Sequence, residues 1–222
     1  MNDLTHVAST ARDLIEQIHN KVKPSLQIEA EVVLSYGQLR LWTLDQLHGA
    51  SGAYNMPIGL KLVGKIDIEA FKLALDALVK RHEALRTVIR DDGLGQAQGF
   101  LMVTPESADN LSIVDLSALE TTNQTSTLDQ IIKNEGSTAF NLATDLPFRA
   151  TLIVLSATES VFSLILHHHC ADGFSSGILL RDMGLAYGAY CAQQEPGWSE
   201  LPIQYSDWAS WQQDTLSGEL EH

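Results

Sequence analysis

The run His167-His168-His169-Cys170-Ala171-Asp172-Gly173 gathers the residues of this chain best suited to chemistry near neutral pH. An imidazole titrates close to neutrality, so a histidine can take or place the proton of an attacking nucleophile. Beyond that, an acyl transfer needs little more than donors for the oxyanion that forms. His168 is the candidate for the proton, with Asp172 fixing the loop as an architectural residue and Gly173 letting backbone approach a substrate.

Two other chemistries compete for the same residues. Neighbouring side chains leaving a strand point to opposite sides, so His167, His168 and His169 cannot face one ion without a sharp bend, and no glutamate stands at helical spacing. No metal is expected. Cys170 could act as a nucleophile with an adjacent histidine as base, but no pair of glycines flanks it to form an oxyanion site.

The elements around the run place it at a strand end. Arg149–Leu155 and Val161–Leu166 are apolar runs that read as neighbouring strands in the middle of a sheet, and the second leads straight into the histidines. Phe174–Tyr190 has helical periodicity through Ile178, Leu179, Met183, Leu185 and Ala186. The histidines therefore fall on a strand-to-helix loop, where open sheets present reactive groups on a rigid scaffold.

Upstream, helices are predicted at about Gln38–Leu47 and Ile68–Arg81, and Gly59–Gly64 alternates as a half-buried strand. Leu85–Ile89 and Ala97–Val103 read as a hairpin across the turn Asp91-Asp92-Gly93-Leu94-Gly95. The polar stretch Glu120–Thr127 reads as a loop before a helix through Ile131, Ile132 and Ala139. Val7, Ala11, Leu14, Ile15, Ile18 and Val22 form one stripe of a short amphipathic helix, which Pro24 separates from a compact unit starting near Glu31.

Composition removes several classes of function. A chain of 222 residues with 14 basic and 28 acidic residues carries a net charge of −14 and has no basic cluster, so nucleic acid and anionic membranes are not expected partners. The chain shows neither a basic start leading into an apolar core nor an apolar stretch near the roughly 18 residues of a membrane span. The two cysteines, Cys170 and Cys191, lack paired metal-ligand spacing and fit a reducing cytoplasm.

Four segments in order resemble the signature of nonribosomal peptide synthetase condensation domains. Ser35-Tyr36-Gly37-Gln38-Leu39-Arg40-Leu41-Trp42 is similar to the first motif, with Gly37 where an alanine is usual, and Ala53-Tyr54-Asn55 follows as in the family. Arg81-His82-Glu83-Ala84-Leu85-Arg86-Thr87 matches the second motif. The histidine run matches the third, written His-His-x-x-x-Asp-Gly, with Phe174-Ser175 where Trp-Ser is usual, and Tyr205–Gln212 resembles the fourth. The resemblance spans about residues 32–222.

The resemblance implies an α+β fold, a two-layer lobe of the chloramphenicol acetyltransferase-like superfamily with helices packed on a mixed sheet. It implies amide formation between a carrier-bound acyl or peptidyl thioester and an aminoacyl acceptor, both delivered on phosphopantetheine arms, with no cofactor bound directly. By position, His168 is the catalytic residue, as general base or as the group that places the amine, and His167, Asp172 and Gly173 shape its loop. Arg81 and Arg86 match arginines that support the active site and could hold carboxylate or carbonyl oxygens around Asp172; the plainer reading is a pair of solvated helix-end charges. Ser35, His169, Phe174, Ser175 and Trp211 are candidates for the substrate channel, while Trp42, Trp208 and Trp211 also read as packing residues.

Neighbouring activities are weighed on the same motifs. Epimerisation relatives differ at the first motif, cyclisation relatives replace the paired histidines by aspartates, and β-lactam-forming members carry an extra histidine where this chain has Leu166. Starter members using coenzyme A thioesters and a non-catalytic carrier-binding module stay open. By the resemblance, residues 31–222 form the first lobe, truncated before its C-terminal partner lobe, and the isolated half is expected to self-associate or be poorly active. The helix within residues 1–23 is a candidate docking element for an upstream synthetase polypeptide, or a linker helix packed on its own lobe.

Overall fold

The protein is described by a computed structural model covering residues 13–14, 27–103 and 110–219. Its helices within residues 27–219 are α1 (Tyr36–His48), α2 (Ile68–Arg81), α3 (Thr121–Ser137), α4 (Gly173–Cys191) and α5 (Tyr205–Glu219). The strands are β1 (Ile28–Val32), β2 (Asn55–Val63), β3 (Thr87–Asp91), β4 (Ala97–Met102), β5 (Leu111–Asp115), β6 (Phe148–Ser156) and β7 (Glu159–His167). Among the described residues, no helix is long and apolar enough to cross a membrane.

The strands divide into two sheets. One has the order β1-β4-β3, and the other is a mixed sheet of order β2-β7-β6-β5, in which β5 runs parallel to β6 and the remaining pairs are antiparallel. The apolar runs of the sequence thus form the two inner strands, β6 and β7, where both faces must be covered and continuous hydrophobicity is the stable choice. β2 pairs with β7 from Asn55 opposite His167 to Val63 opposite Glu159.

Alternation along β7 builds two cores. Phe162, Leu164 and Leu166 face α2 and α4, packing with Phe71, Leu75, Leu78, Leu179 and Met183. Ile165 faces the other way, into a cluster with Trp42, Ile89, Phe140 and Leu142. Ser163 shares that second face and donates to the buried Glu135 of α3 at 2.9 Å, with Thr151 of β6 bonded to the other carboxylate oxygen. Burial raises the Glu135 carboxyl above its usual range, against the pull of those two hydroxyls and of Arg149.

Helix ends follow local chemistry. The Asp67 side chain accepts from Ala70 N–H at 3.0 Å and starts α2, and Ser35 and Gln38 form a reciprocal capping box that starts α1. Close backbone approach demands glycine at residue 52, where an added Cβ would stand 2.5 Å from the carbonyl oxygen of Ser137.

Two sequence expectations change. The stretch 120–127 is not a loop: α3 begins at Thr121, Thr127 is fully buried, and Gln124 donates to the carbonyls of Leu116 and Leu155, so tertiary contacts override the weak helix propensity of its serines and threonines. The strand expected from Leu85 starts at Thr87, because residues 83–86 make a 3₁₀ turn that drives Leu85 into the core. Of the expected N-terminal helix only Asp13 and Leu14 lie within the described residues; both are helical, and Leu14 packs against the cluster of Val114, Leu116, Ile131 and Ile153.

Candidate active site

The loop between β7 and α4 carries the histidines, and the amides of residues 167–170 are each held. His167 N–H donates to the carbonyl of Pro147 at 2.9 Å, His168 N–H to that of Tyr54 at 2.9 Å, His169 N–H to Nδ1 of His167 at 3.2 Å, and Cys170 N–H to the carbonyl of His167 at 3.0 Å. Because Nδ1 of His167 accepts, its ring proton resides on Nε2, and the side chain is a buried neutral imidazole between the edges of Tyr54 and Phe140. Burial, with the charges of His168 and Arg149, lowers its pKa to about 4.

His168 and His169 have opposite fates, as alternation requires. The His168 side chain is exposed and lines a cavity of about 370 Å³ with Gln38, Arg40, Tyr54, Asp172 and Tyr205. His169 is buried, with neither ring nitrogen hydrogen-bonded in the protein, and burial lowers its pKa to about 3. The Cys170 thiol donates to the carbonyls of His167 and Pro147 at 3.1 and 3.3 Å, and burial raises its pKa to about 12. A thiol held protonated in that way is a poor nucleophile.

Asp172 is the N-cap of α4. Its Oδ1 accepts from the Ser175 amide at 2.9 Å and from the Ser175 hydroxyl at 2.7 Å, and the hydroxyl in turn accepts from Asp172 N–H at 3.2 Å. The Ser175 amide, then its hydroxyl, hold the carboxyl below the usual carboxylate range. Asp172 is thereby an ionised architectural group that turns the chain from loop to helix. A Cβ at Gly173 would meet no atom within 4 Å, so the backbone there stays open to an approaching group.

The arginines do not surround Asp172, contrary to expectation. Arg81 donates from Nε to Asp182 at 3.0 Å and from a terminal nitrogen to the carbonyl of Ser199 at 2.7 Å, with its guanidinium over the Trp198 ring. Arg86 is buried, bonded to Glu29 and to the carbonyl of Met102 at 3.0 Å. Neither is a solvated charge: α2 aims Arg81 at α4, where the buried Asp182 also meets His82 at 2.9 Å, and Arg86 ties β1 to β4. The cap of α4 already occupies the Asp172 carboxylate.

Of the expected channel residues, Ser175 and His169 line the cavity beside His168. Ser35 is fully buried as the N-cap of α1, Phe174 stands 90% exposed and Trp211 62% exposed, and these three line neither this cavity nor its neighbour. That neighbour, about 460 Å³ in volume, is more apolar, with Leu85, Ile178, Leu179, Leu201 and Trp208, and it shares Cys170, Ser175 and Tyr205 with the first. Trp42 is buried in the core as expected of a packing residue, and Trp208 stacks on Tyr205 at 5.3 Å. Sequence reasoning missed Gln38, Arg40, Tyr54 and Tyr205 as site residues although all four stand inside or beside the family motifs; their place in those motifs was the available signal.

The mixed sheet that presents a histidine at its rim, ahead of a capped helix, has the chloramphenicol acetyltransferase-like fold. The condensation-domain family model matches residues 28–221, and the chain belongs to that family. It is 38% identical over 86% of its length to the probable non-canonical nonribosomal peptide synthetase CymA of Salinispora arenicola, and 35% identical over 85% to a dimodular nonribosomal peptide synthase of Bacillus subtilis. It spans 2% and 8% of the lengths of those two relatives.

Among solved structures, the X-domain from teicoplanin biosynthesis superposes with a TM-score of 0.74 at 29% identity, covering 90% of this chain and 42% of that one. The starter condensation domain of rhizomide synthetase RzmA shares the fold with a TM-score of 0.73 at 20% identity, covering 84% of this chain and 44% of that one.

Proposed function

We propose that residues 31–222 are the N-terminal lobe of a condensation domain that joins a carrier-bound acyl or peptidyl thioester to an aminoacyl acceptor in the cytoplasm, with His168 as the residue that takes or places the amine proton. The observation that carries this reading is the exposed His168 side chain on a cavity, at the end of a strand and on a loop whose amides from 167 to 170 are tied down. A rigid loop matters because a displacement of about 1 Å in a reacting group costs on the order of 10²-fold in rate. The phosphopantetheine arms of donor and acceptor carriers are the proposed substrates, and a C-terminal lobe completes the tunnel around them. Residues 1–23 are a docking element for an upstream synthetase polypeptide.

The reaction needs a neutral imidazole on the amine side and donors on the thioester side. His168 is the imidazole placed on the cavity, and its neighbours His167 and His169 do not compete for the proton because burial lowers the pKa of both. In the complete condensation domain with loaded carriers, His168→Ala should lower amide formation by about 10²- to 10⁴-fold while leaving thermal unfolding unchanged. A variant that condenses at the wild-type rate ends the proposal.

A second reading is a non-catalytic docking lobe. It is favoured by the 30% identity to the X-domain, a domain solved in complex with OxyB. Carrier binding without turnover in the intact wild-type domain would select it.

A further inference from the structure

We infer that Gln38 is a positioning residue for the His168 loop, held in turn from α5 by Tyr205; this rests on the condensation reading above. The chain of contacts is continuous. The hydroxyls of Tyr205 and Ser35 share a hydrogen bond at 3.0 Å. Ser35 N–H donates to Oε1 of Gln38 at 3.0 Å, and Gln38 N–H returns a bond to the Ser35 hydroxyl at 3.1 Å. Nε2 of Gln38 then donates to the carbonyl of His169 at 3.2 Å. Ser35 and Gln38 are both buried, with 0% and 3% of their surface exposed, so water does not replace these bonds.

That last bond holds a peptide group next to the reactive residue. The His169–Cys170 peptide has its N–H on the carbonyl of His167 and its C=O on Gln38, so it is pinned at both ends. Without the Gln38 donor the carbonyl is left buried and unpaired, a penalty that a peptide rotation relieves. Such a rotation breaks the turn that sends His168 outward and His169 inward. Gln38 touches the cavity but is spent on backbone at both ends of its amide, which marks it as an orienting group and not as a proton carrier.

Capping and positioning are joined in one side chain. Gln38 is the third helical residue of the α1 capping box, so the geometry of the helix start fixes the amide that reaches the loop. Tyr205 opens α5, where Gln213 donates to the carbonyl of Leu34 at 2.6 Å and Tyr36 N–H donates to Gln212 at 3.1 Å. α5 thus grips the start of α1 from outside, and any shift of α5 reaches the loop through Ser35 and Gln38.

The test uses Gln38→Leu, Gln38→Glu and Tyr205→Phe in the complete synthetase with loaded carriers. Gln38→Leu should lower kcat about 10- to 100-fold with little change in acceptor KM, and Tyr205→Phe should lower it less. The double variant should be no slower than Gln38→Leu alone, because both act through one chain. A carboxylate at residue 38 accepts from Ser35 but cannot donate to His169, so the kcat of Gln38→Glu relative to wild type should rise as pH falls and the acid form regains the donor. Amide hydrogen exchange across residues 168–171 should quicken in Gln38→Leu, a readout that needs no turnover and separates this inference from the condensation reading. Unaltered exchange, multiplying effects in the double variant, or a pH-independent rate ratio for Gln38→Glu would overturn it.

Discussion

Stability should fall steeply between pH 7 and pH 5, and the cause should be two buried histidines. His167 and His169 have ordinary values of 6.5 when unfolded and about 4 and about 3 when folded, both through burial. A base whose folded pKa is depressed binds fewer protons folded than unfolded, so its contribution is intact above about 6.5 and is lost as pH falls toward the folded value. Integrated from pH 7 to pH 5, each costs about 2 kcal/mol, or about 4 kcal/mol together. Against a typical domain stability of about 5–15 kcal/mol this is a large share. His82, also lowered by burial, acts in the same direction, whereas Glu135, raised by burial, gains stability as pH falls. His169→Leu isolates one contribution. It should flatten the decline by about 2 kcal/mol, and at pH 7 it should stabilise the fold by about 1–3 kcal/mol because it removes two buried ring nitrogens without partners. Urea unfolding at pH 5, 6 and 7 for both proteins measures this. An equal pH slope in wild type and variant would refute the account of His169 as a buried neutral base.

Three further outcomes follow from other parts of the fold. Asp182→Ala leaves Arg81 and His82 without their buried carboxylate and should cost about 3–5 kcal/mol by chemical denaturation; a loss below about 1 kcal/mol would contradict the ion pairs as drawn. Burial raises the Asp182 carboxyl but the bonds from Arg181, His82 and Arg81 lower it further, so its contribution is present above the unfolded carboxylate range and disappears in acid. Glu135→Gln should stabilise the protein at neutral pH and lose that advantage as pH falls, since the wild-type carboxyl, raised by burial, takes up its proton; urea unfolding across that range measures it. Gly52→Ala drives a Cβ against the Ser137 backbone and should cost about 1–3 kcal/mol in melting experiments. It should also quicken amide hydrogen exchange at His168, because the same short turn carries the Tyr54 carbonyl that holds the His168 N–H.

Much of the site was legible before any coordinates. Two apolar runs, a histidine cluster and a helical period placed the loop at the end of an inner strand, since inner strands are hydrophobic on both faces and helices keep a 3.6-residue stripe. The alternation of side chains already separated His168 from its two neighbours. Asp172 as an architectural residue was equally accessible, because Asp ahead of a helical stretch with serine at the third helical position is a capping signal.

What sequence alone determined, then, was the inner strands, the long amphipathic helices and the loop that bears His168, because hydrophobic period and capping are local properties; the strands at 28–32 and 111–115 were not anticipated. Partner choice was decided only by the tertiary structure. Arg81 belongs to Asp182 and Arg86 to Glu29, over 101 and 57 residues of separation, and Gln38 reaches His169 across 131. Nothing in local spacing distinguishes which carboxylate or carbonyl a long polar side chain will meet. The first part of the helix at 121–137, over residues 121–127, was lost to propensity for the same reason: Gln124 there is held by carbonyls of Leu116 and Leu155 that only the folded sheet brings within reach.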